Sequence, residues 1–280
     1  MQVSFKNKKP TLYLVATPIG NLEDITFRAI ETLKNVSVCF AEDTRTSKIL
    51  FDKYNINTKM ISYHEHDKIT KIDEVLKYLN LGLDVALISD AGTPLISDPG
   101  YELVNEVINN NYYVVSIPGP AASITGLVAS GLISQPHLFI GFLPRKESEI
   151  KNIIEKYKNI SATLIIYESP FRINKTLNYL YEVLGNRKVV LARELTKIYE
   201  TYLRTNLLEA VKIEHNKKGE YVIYVEGFNE NINIEEVDIF TLYNDLMKQN
   251  NNEKEVLSII AKKLNIPKRE VYHKIKIEGK

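Results

Sequence analysis

Val85-Ala-Leu-Ile88 runs straight into Ser89-Asp-Ala-Gly-Thr-Pro-Leu-Ile-Ser-Asp-Pro-Gly100, and this junction of a strand with a stiff loop decides the fold. The four apolar residues read as a strand buried on both faces. The loop carries two glycines and two prolines, so its backbone can approach a ligand closely at some points and is pre-set at others. It can offer carbonyls, amides and the hydroxyls of Thr93 and Ser97 to an adenosine or amino-acid group. In an open α/β sheet, ligands bind beyond the carboxyl ends of the strands, which is where this loop lies.

Outward from this junction, short apolar runs alternate with helical patterns. Further strands are expected at 12–16, 36–40, 60–63 and 113–117. Phe27, Ile30 and Leu33 recur at three-residue steps behind Asp24 as N-cap. Ile72, Val75, Leu76 and Leu79 mark a second helix face, and Leu103, Val104, Val107 and Ile108 a third. This alternation implies βαβ crossovers and a mostly parallel sheet. After Pro118-Gly-Pro120, a small-residue segment at 121–131 leads into a second alternating unit. Its strands are expected at 138–142, 162–167, 189–194, 200–203 and 221–226, with helices at 146–157 and 171–184. The close spacing of the later strands predicts a mixed sheet. Past Gly227 the composition shifts to Asn, Glu and Ile, which reads as a linker. Val256, Ile259, Ile260 and Leu264 then share a helix face, 265–268 form a turn, and Val271, Tyr272 and Ile275 mark a second helix. The expected architecture is therefore α/β: an N-terminal domain at 1–119, a second α/β domain at 120–232 and a helix-turn-helix-like tail at 233–280.

The 280 residues carry 36 Lys and Arg against 35 Asp and Glu, so no global basic field draws the chain to nucleic acid, and any RNA site must be a local patch. A single cysteine, Cys39 in Val36-Ser-Val-Cys-Phe40, excludes an internal disulfide framework and a multi-cysteine zinc site. It reads as a small core residue in a reducing compartment. No run approaches the roughly 20 apolar residues of a membrane span, and no apolar stretch follows the polar N-terminus. A cytoplasmic protein without membrane contact is expected.

Other strand-end loops also concentrate chemistry. Ala16-Thr-Pro-Ile-Gly-Asn21 lacks the spacing of a dinucleotide fingerprint, and no phosphate-binding lysine follows it. Ala41-Glu-Asp-Thr-Arg-Thr46 clusters two carboxylates, an arginine and two hydroxyls, unless Asp43 or Thr44 merely caps the next helix. Ser62-Tyr-His-Glu-His-Asp67 spaces His64 and His66 by two, but no third cluster completes a coordination sphere, so no metal is expected. Tyr167-Glu-Ser-Pro-Phe-Arg172 and Leu191-Ala-Arg-Glu-Leu-Thr-Lys197 place Arg172 and Arg193 where they can meet phosphates, and Phe171 where it can stack on a base. Structural ion pairs account for such arginines equally well.

Seven of these segments, in matching order from about Leu12 to Glu226, resemble the ribosomal RNA small-subunit methyltransferase I family, a branch of the tetrapyrrole methylases. They are V-A-T-P-I-G-N-L-E-D-I-T at 15–26, A-E-D-T-R-T-S at 41–47, S-Y-H-E-H at 62–66, S-D-A-G-T-P-L-I-S-D-P-G at 89–100, P-G-P-A-A at 118–122, Y-E-S-P-F-R at 167–172 and A-R-E-L-T-K at 192–197. The resemblance implies two α/β domains with S-adenosylmethionine in a cleft between them, and a homodimer. It also implies 2′-O-methylation of a cytidine ribose in small-subunit ribosomal RNA near the decoding centre, on free rRNA or the assembled subunit. Cofactor contacts are then expected from Pro18, Gly92, Thr93, Pro94, Ile96, Pro118, Gly119, Ala121, Ala122, Tyr167 and Ala192. Thr93 stands where the wider tetrapyrrole group has aspartate, and the first loop is not the glycine- and proline-rich form common there; both departures argue against a tetrapyrrole substrate.

Transfer from a sulfonium needs the acceptor oxygen aligned on the methyl carbon, and a base assists a ribose hydroxyl that keeps its proton. His64, Glu42 and Asp43 are the candidates, with water as the alternative acceptor. Thr44, Arg45, Glu168, Ser169, Arg172 and Arg193 are the candidate substrate contacts, with Arg45 and Arg172 on the RNA backbone. Two other readings stand beside this one: a methylase of a tetrapyrrole precursor, and a non-catalytic RNA- or ribosome-binding protein that keeps the fold.

Overall fold

Apolar runs too short for helices become the strands of two sheets. The computed structural model describes residues 1–4, 6, 9–63, 68–229, 243–244, 246–247, 252–264 and 267–278. Contacts group the chain into two units, Met1–Glu226 and Gly227–Lys280, and both sheets belong to the first. The first sheet contains β1 (Thr11–Val15), β2 (Val38–Ala41), β3 (Met60–Ser62), β4 (Val85–Ile88) and β5 (Tyr113–Ile117), in the order β3-β2-β4-β1-β5 and parallel throughout. Every residue of β2 and β4 is buried, as continuous apolar strands covered on both faces require.

The strand order sorts the helices. Crossovers from β1 to β2 and from β2 to β3 run one way across the sheet, and α1 (Phe27–Asn35) and α2 (Thr44–Lys53) pack on one face through Ala29, Leu33, Leu50 and Phe51. The return crossovers to β4 and β5 carry α3 (Lys68–Asn80) and α4 (Tyr101–Asn109) on the other face, through Val75, Leu79, Leu103 and Val107. One handedness for all four crossovers demands this division. It also puts a topological switch between the neighbours β1 and β4, whose following connections leave in opposite directions.

After α5 (Ala122–Ser130) the second sheet forms from β6 (His137–Phe142), β7 (Thr163–Glu168), β8 (Lys188–Arg193), β9 (Thr201–Asn206) and β10 (Tyr221–Val225). Their order is β6-β7-β10-β8-β9; only β6 and β7 are parallel, so the sheet is mixed. Alternation assigns the two faces. Leu164, Ile166, Val189, Leu191, Tyr221 and Ile223 meet the face covered by α6 (Glu147–Tyr157), α7 (Ile173–Leu184) and the short α8 (Leu207–Ala210). Ile165, Val190, Ala192, Val222 and Tyr224 join Leu127 of α5 and Ile19 from the first sheet's leading loop.

Several boundaries differ from the sequence expectation. α1 is capped by Thr26, whose hydroxyl accepts the Ala29 N–H at 3.1 Å, while Asp24 ends a short 3₁₀ turn capped by Asn21. Phe27 therefore occupies the first helical position and is 91% exposed instead of joining Ile30 and Leu33 in the core. Val36 closes α1 through its N–H to Thr32, so β2 begins at Val38. In the second unit, α9 (Glu253–Leu264) and α10 (Lys268–His273) bury Val256, Leu257 and Ile260 against Val271 and Ile275. Ile259 and Tyr272 face outward, and the turn residues 265–266 lie outside the described residues. Cys39 is buried in β2, where burial pushes its thiol up, as suits a core residue.

Gly126 is where α5 meets β10. A methyl group there would strike the Tyr224 hydroxyl, which donates to the Ala122 carbonyl at 2.9 Å. Gly126→Ala is expected to lower unfolding free energy by about 1–3 kcal/mol through overpacking, measured by denaturant melts; an unchanged midpoint would refute this packing account.

Candidate active site

The switch between β1 and β4 is closed by backbone. Thr17 and Gly92 exchange hydrogen bonds, N–H to O at 2.8 and 3.1 Å, and the Thr17 hydroxyl donates to the Ser89 carbonyl at 3.2 Å. Gly92 has φ +83°, and a side chain there would crowd Ile19. Thr93 ties the same loop to the turn after β5 by donating to the Pro120 carbonyl at 3.0 Å. Leu95 and Ser97 hold positive φ without being glycine, as do Glu194 and Thr196 in the loop after β8. Such backbone persists only where surrounding structure over-determines it.

These loops and the facing edge of the second sheet enclose a cavity of about 440 Å³. From the first sheet come Ile19, Glu42, Asp90, Gly92, Thr93, Ile96 and Asp98; the second sheet and α5 add Ala121, Ala122, Phe142, Tyr167, Leu195 and Val222, among others. One wall is aromatic and aliphatic. Tyr167 lies edge-on to Phe139 and Phe142, with ring centroids at 4.8 and 5.5 Å, and its hydroxyl accepts the Ser123 N–H at 3.0 Å. Burial raises its phenol. The opposite wall is acidic, built by Glu42, Asp90 and Asp98, and no lysine, arginine or histidine lines the cavity among the described residues. Burial, with Glu42 and then Asp90 nearby, pushes Asp98 up to about 6 against the pull of a Ser89 hydrogen bond.

The structure brings together Glu42, Gly92, Thr93, Ile96, Ala121, Ala122, Tyr167, Glu168 and Ser169 of the residues anticipated from sequence. Pro94 lines a narrow pocket behind Asp98 with Glu42, Tyr63 and Ser89. Pro18, Pro118, Gly119 and Ala192 do not line the cavity: Ala192 is buried, and Gly119 packs so closely on Ala16 that a Cβ would sit 2.7 Å from the Ala16 Cβ. Asp43 is the N-cap of α2 and grips Arg45 at 2.9 and 3.1 Å, and those bonds hold its carboxyl down to about 2. A carboxylate so stabilised is a weak base. Neither Asp43, Thr44 nor Arg45 lines the cavity.

Arg172 also turns inward: it donates to the Leu143 and Pro144 carbonyls at 3.0 and 2.7 Å and lies 3.4 Å from buried Glu168. Glu168 in turn accepts from Thr176 and the Ser169 N–H. Arg193 donates to the Lys218 carbonyl at 2.8 Å. These arginines fit the structural alternative. His64 lies outside the described residues. Sequence reasoning missed Asp90 and Asp98, although both stand in the quoted loop, where a charge at a strand's end is costly to bury without purpose. Leu195 stands in the quoted segment at 191–197 but was not singled out, and Glu220, Tyr221 and Val222 carried no local signal, because antiparallel pairing brings β10 to the cleft from far along the chain.

The family model described as Tetrapyrrole (Corrin/Porphyrin) Methylases matches residues 11–211. The chain belongs to the tetrapyrrole methylase family. Within it, the chain is 46% identical over 275 residues to a protein of Halalkalibacterium halodurans named Ribosomal RNA small subunit methyltransferase I, covering 96% of this chain and 95% of the relative. A protein of the same name from Bacillus subtilis is 43% identical, with 97% and 96% covered. Among solved structures, diphthine synthase aligns with a TM-score of 0.62 at 13% identity, over 77% of this chain and 90% of that one. Cobalt precorrin-4 methyltransferase aligns at 0.57 and 15%, over 77% and 94%. At these identities the structures speak for the tetrapyrrole methylase fold alone.

The acidic wall makes a sign-specific prediction. An unfolded Asp98 titrates at its ordinary value of 3.8 and the folded one at about 6, so the folded state binds that proton more tightly. The cost of ionising Asp98 is absent below the lower value, grows between the two and is complete above the higher. With solvent screening of a half-buried group, Asp98→Asn should raise the melting temperature by about 2–4 °C near pH 7.5. It should change it little near pH ~4. An equal rise at both pH values would show that ionisation is not the cause.

Proposed function

We propose that this chain transfers a methyl group from S-adenosylmethionine to the 2′-hydroxyl of a cytidine ribose in small-subunit ribosomal RNA near the decoding centre, acting as a cytoplasmic homodimer. The observation that carries this reading is the pairing of an acidic wall with an aromatic one in a single cavity at the switch point. Carboxylates favour a cation there and repel a phosphate, whereas Tyr167 and Phe142 offer faces to a nucleoside base. A sulfonium nucleoside is both cationic and aromatic. The relatives' names support small-subunit ribosomal RNA as the substrate class, and about 440 Å³ is the scale of one nucleoside-sized ligand. An acceptor must then come in over the rim.

In this reading Gly92, Thr93, Ile96, Ala121, Ala122 and Tyr167 hold the cofactor, which when bound supplies an electrophilic methyl group. The chain's own task is alignment and exclusion of water. The paired loops 16–21 and 89–100 provide a floor that need not rearrange. Glu42 and Asp98 face the cationic centre, and Asp43 and Arg45 hold the start of α2.

The rim suits RNA. Phe142 is 59% exposed although it lines the cavity, and Phe171, next to lining Pro170, is 83% exposed. Arg172 pins the 143–144 carbonyls, which presents exposed Arg145 beyond the end of β6; Arg145 has no hydrogen bond or ion pair among the described residues. A flat tetrapyrrole gives Arg145 and the helical unit no work.

Titration with S-adenosylmethionine is expected to show micromolar-range binding, and labelled methyl transfer should reach small ribosomal subunits but not porphyrin precursors. Binding without transfer to any RNA would leave the family placement and remove the substrate. Arg145→Ala should raise KM for the subunit several-fold with kcat little changed and reduce the salt dependence of binding by about one counter-ion. An unchanged KM and salt slope would take Arg145 off the RNA path.

A further inference from the structure

No histidine or lysine lines the cavity among the described residues, so a side-chain base for the acceptor hydroxyl is sought there among carboxylates not held by a cation or a helix start. Asp43 caps α2 and holds Arg45. Asp90 accepts the Asp43 N–H at 2.9 Å and anchors the start of the same helix. Glu168 is shared among Arg172, Thr176 and the Ser169 amide, and Glu220 pairs with Lys197 at 2.9 Å. Asp98 differs. It lines the main cavity and also the narrow pocket behind it, as Glu42 does, so these two side chains stand where the spaces meet. Its path is set by positive φ at Leu95 and Ser97 and by Pro99, and Gly100 at φ +136° closes the loop against Leu95 and Leu87.

We infer that Asp98, standing beside Glu42 at the floor of the cavity, accepts the proton of the acceptor hydroxyl during methyl transfer. This rests on the reading of the cavity as a sulfonium site. As the acceptor oxygen forms its bond to the methyl carbon, the carbon–sulfur bond breaks and its electron pair goes to sulfur. The positive charge is thereby discharged, and the hydroxyl proton passes to an Asp98 carboxylate oxygen. The products are an ether, a thioether and a carboxylic acid that returns its proton to water. No other reactant is needed. Glu42 is a positioning residue: its charge keeps Asp98 basic. The titratable groups that face Asp98 are Glu42 at the end of β2, Asp90 of its own loop, Tyr63 after β3 and Tyr167 of β7. All are acids, and all oppose a second negative charge. An acceptor near 6 is charged at neutral pH yet far more basic than an ordinary aspartate, which is the compromise general-base catalysis favours.

The test is single-turnover methyl transfer onto small ribosomal subunits by the full chain, across pH, alongside calorimetry with S-adenosylmethionine. The native rate is expected to fall about tenfold per unit below pH ~6. Asp98→Asn, assayed with saturating S-adenosylmethionine, should cut the rate by about 10²–10⁴ and erase that limb, well beyond any weakening of its hold on the cofactor. Asp98→Glu should restore part of the rate, and Glu42→Gln should move the limb to lower pH. Retention of the limb and of near-native rate in Asp98→Asn would overturn the assignment. So would a loss of rate that tracks a loss of cofactor affinity, which would make Asp98 a cation-holding group only. Native protein that binds no cofactor would overturn the sulfonium reading itself and this inference with it, a result distinguishable from either of the others.

Discussion

Two reciprocal backbone hydrogen bonds between Thr17 and Gly92 hold together the loops on which the site depends. They join the ends of β1 and β4, neighbouring strands that send their connections in opposite directions. Without them, the loops at 16–21 and 89–100 would be two independent excursions into solvent. With them, Ile19 is carried across to pack on the second sheet's cluster with Ala192 and Val222, and Asp98 is held at the floor of the cavity. A side chain at position 92 would meet both a positive φ and Ile19, so the bridge, the glycine and the contact between sheets are one constraint.

Strain is distributed in keeping with that constraint. Both lips of the cavity carry non-glycine residues at positive φ, Leu95 and Ser97 on one side and Glu194 and Thr196 on the other. The second lip is braced by Lys197, which pairs with Glu194 and Glu220 at 2.9 Å while its stem passes close over Gly20. Each loop is thus held by partners outside itself, so the cavity exists before any ligand arrives and little conformational freedom is lost on binding.

Much of this was legible in the sequence because it is local. Continuous apolar strands, three- and four-residue helix spacing and glycine–proline punctuation gave all ten strands to within a few residues and the mixed character of the second sheet. What failed were ends and partners. Asp24 and Thr26 are both capping residues two positions apart, and only the path of the chain decides which hydroxyl or carboxylate meets the free amides. Arg172, Arg193 and Asp43 looked available because sequence shows charge but not the carbonyls or the guanidinium that occupy it. The part of the wall at Tyr221 and Val222 is a product of antiparallel pairing across long sequence separations, and no local pattern encodes it.

The near-zero net charge conceals a division of labour. On the proposed reading, a methyl donor carrying positive charge and an RNA carrying many negative ones ask for opposite fields, and a uniformly basic surface would serve the second at the expense of the first. Here acids gather at the cavity, where half-buried Glu42 and Asp98 stand with exposed Asp90, and burial strengthens the field of the first two. Basic residues stand outside it, as Arg145 does beyond β6. Screening in water confines each field to roughly 8–10 Å, so an acidic cavity and an exposed arginine such as Arg145 can coexist on one protein. The same separation explains why composition reveals neither: a local patch of each sign sums to almost nothing over 280 residues.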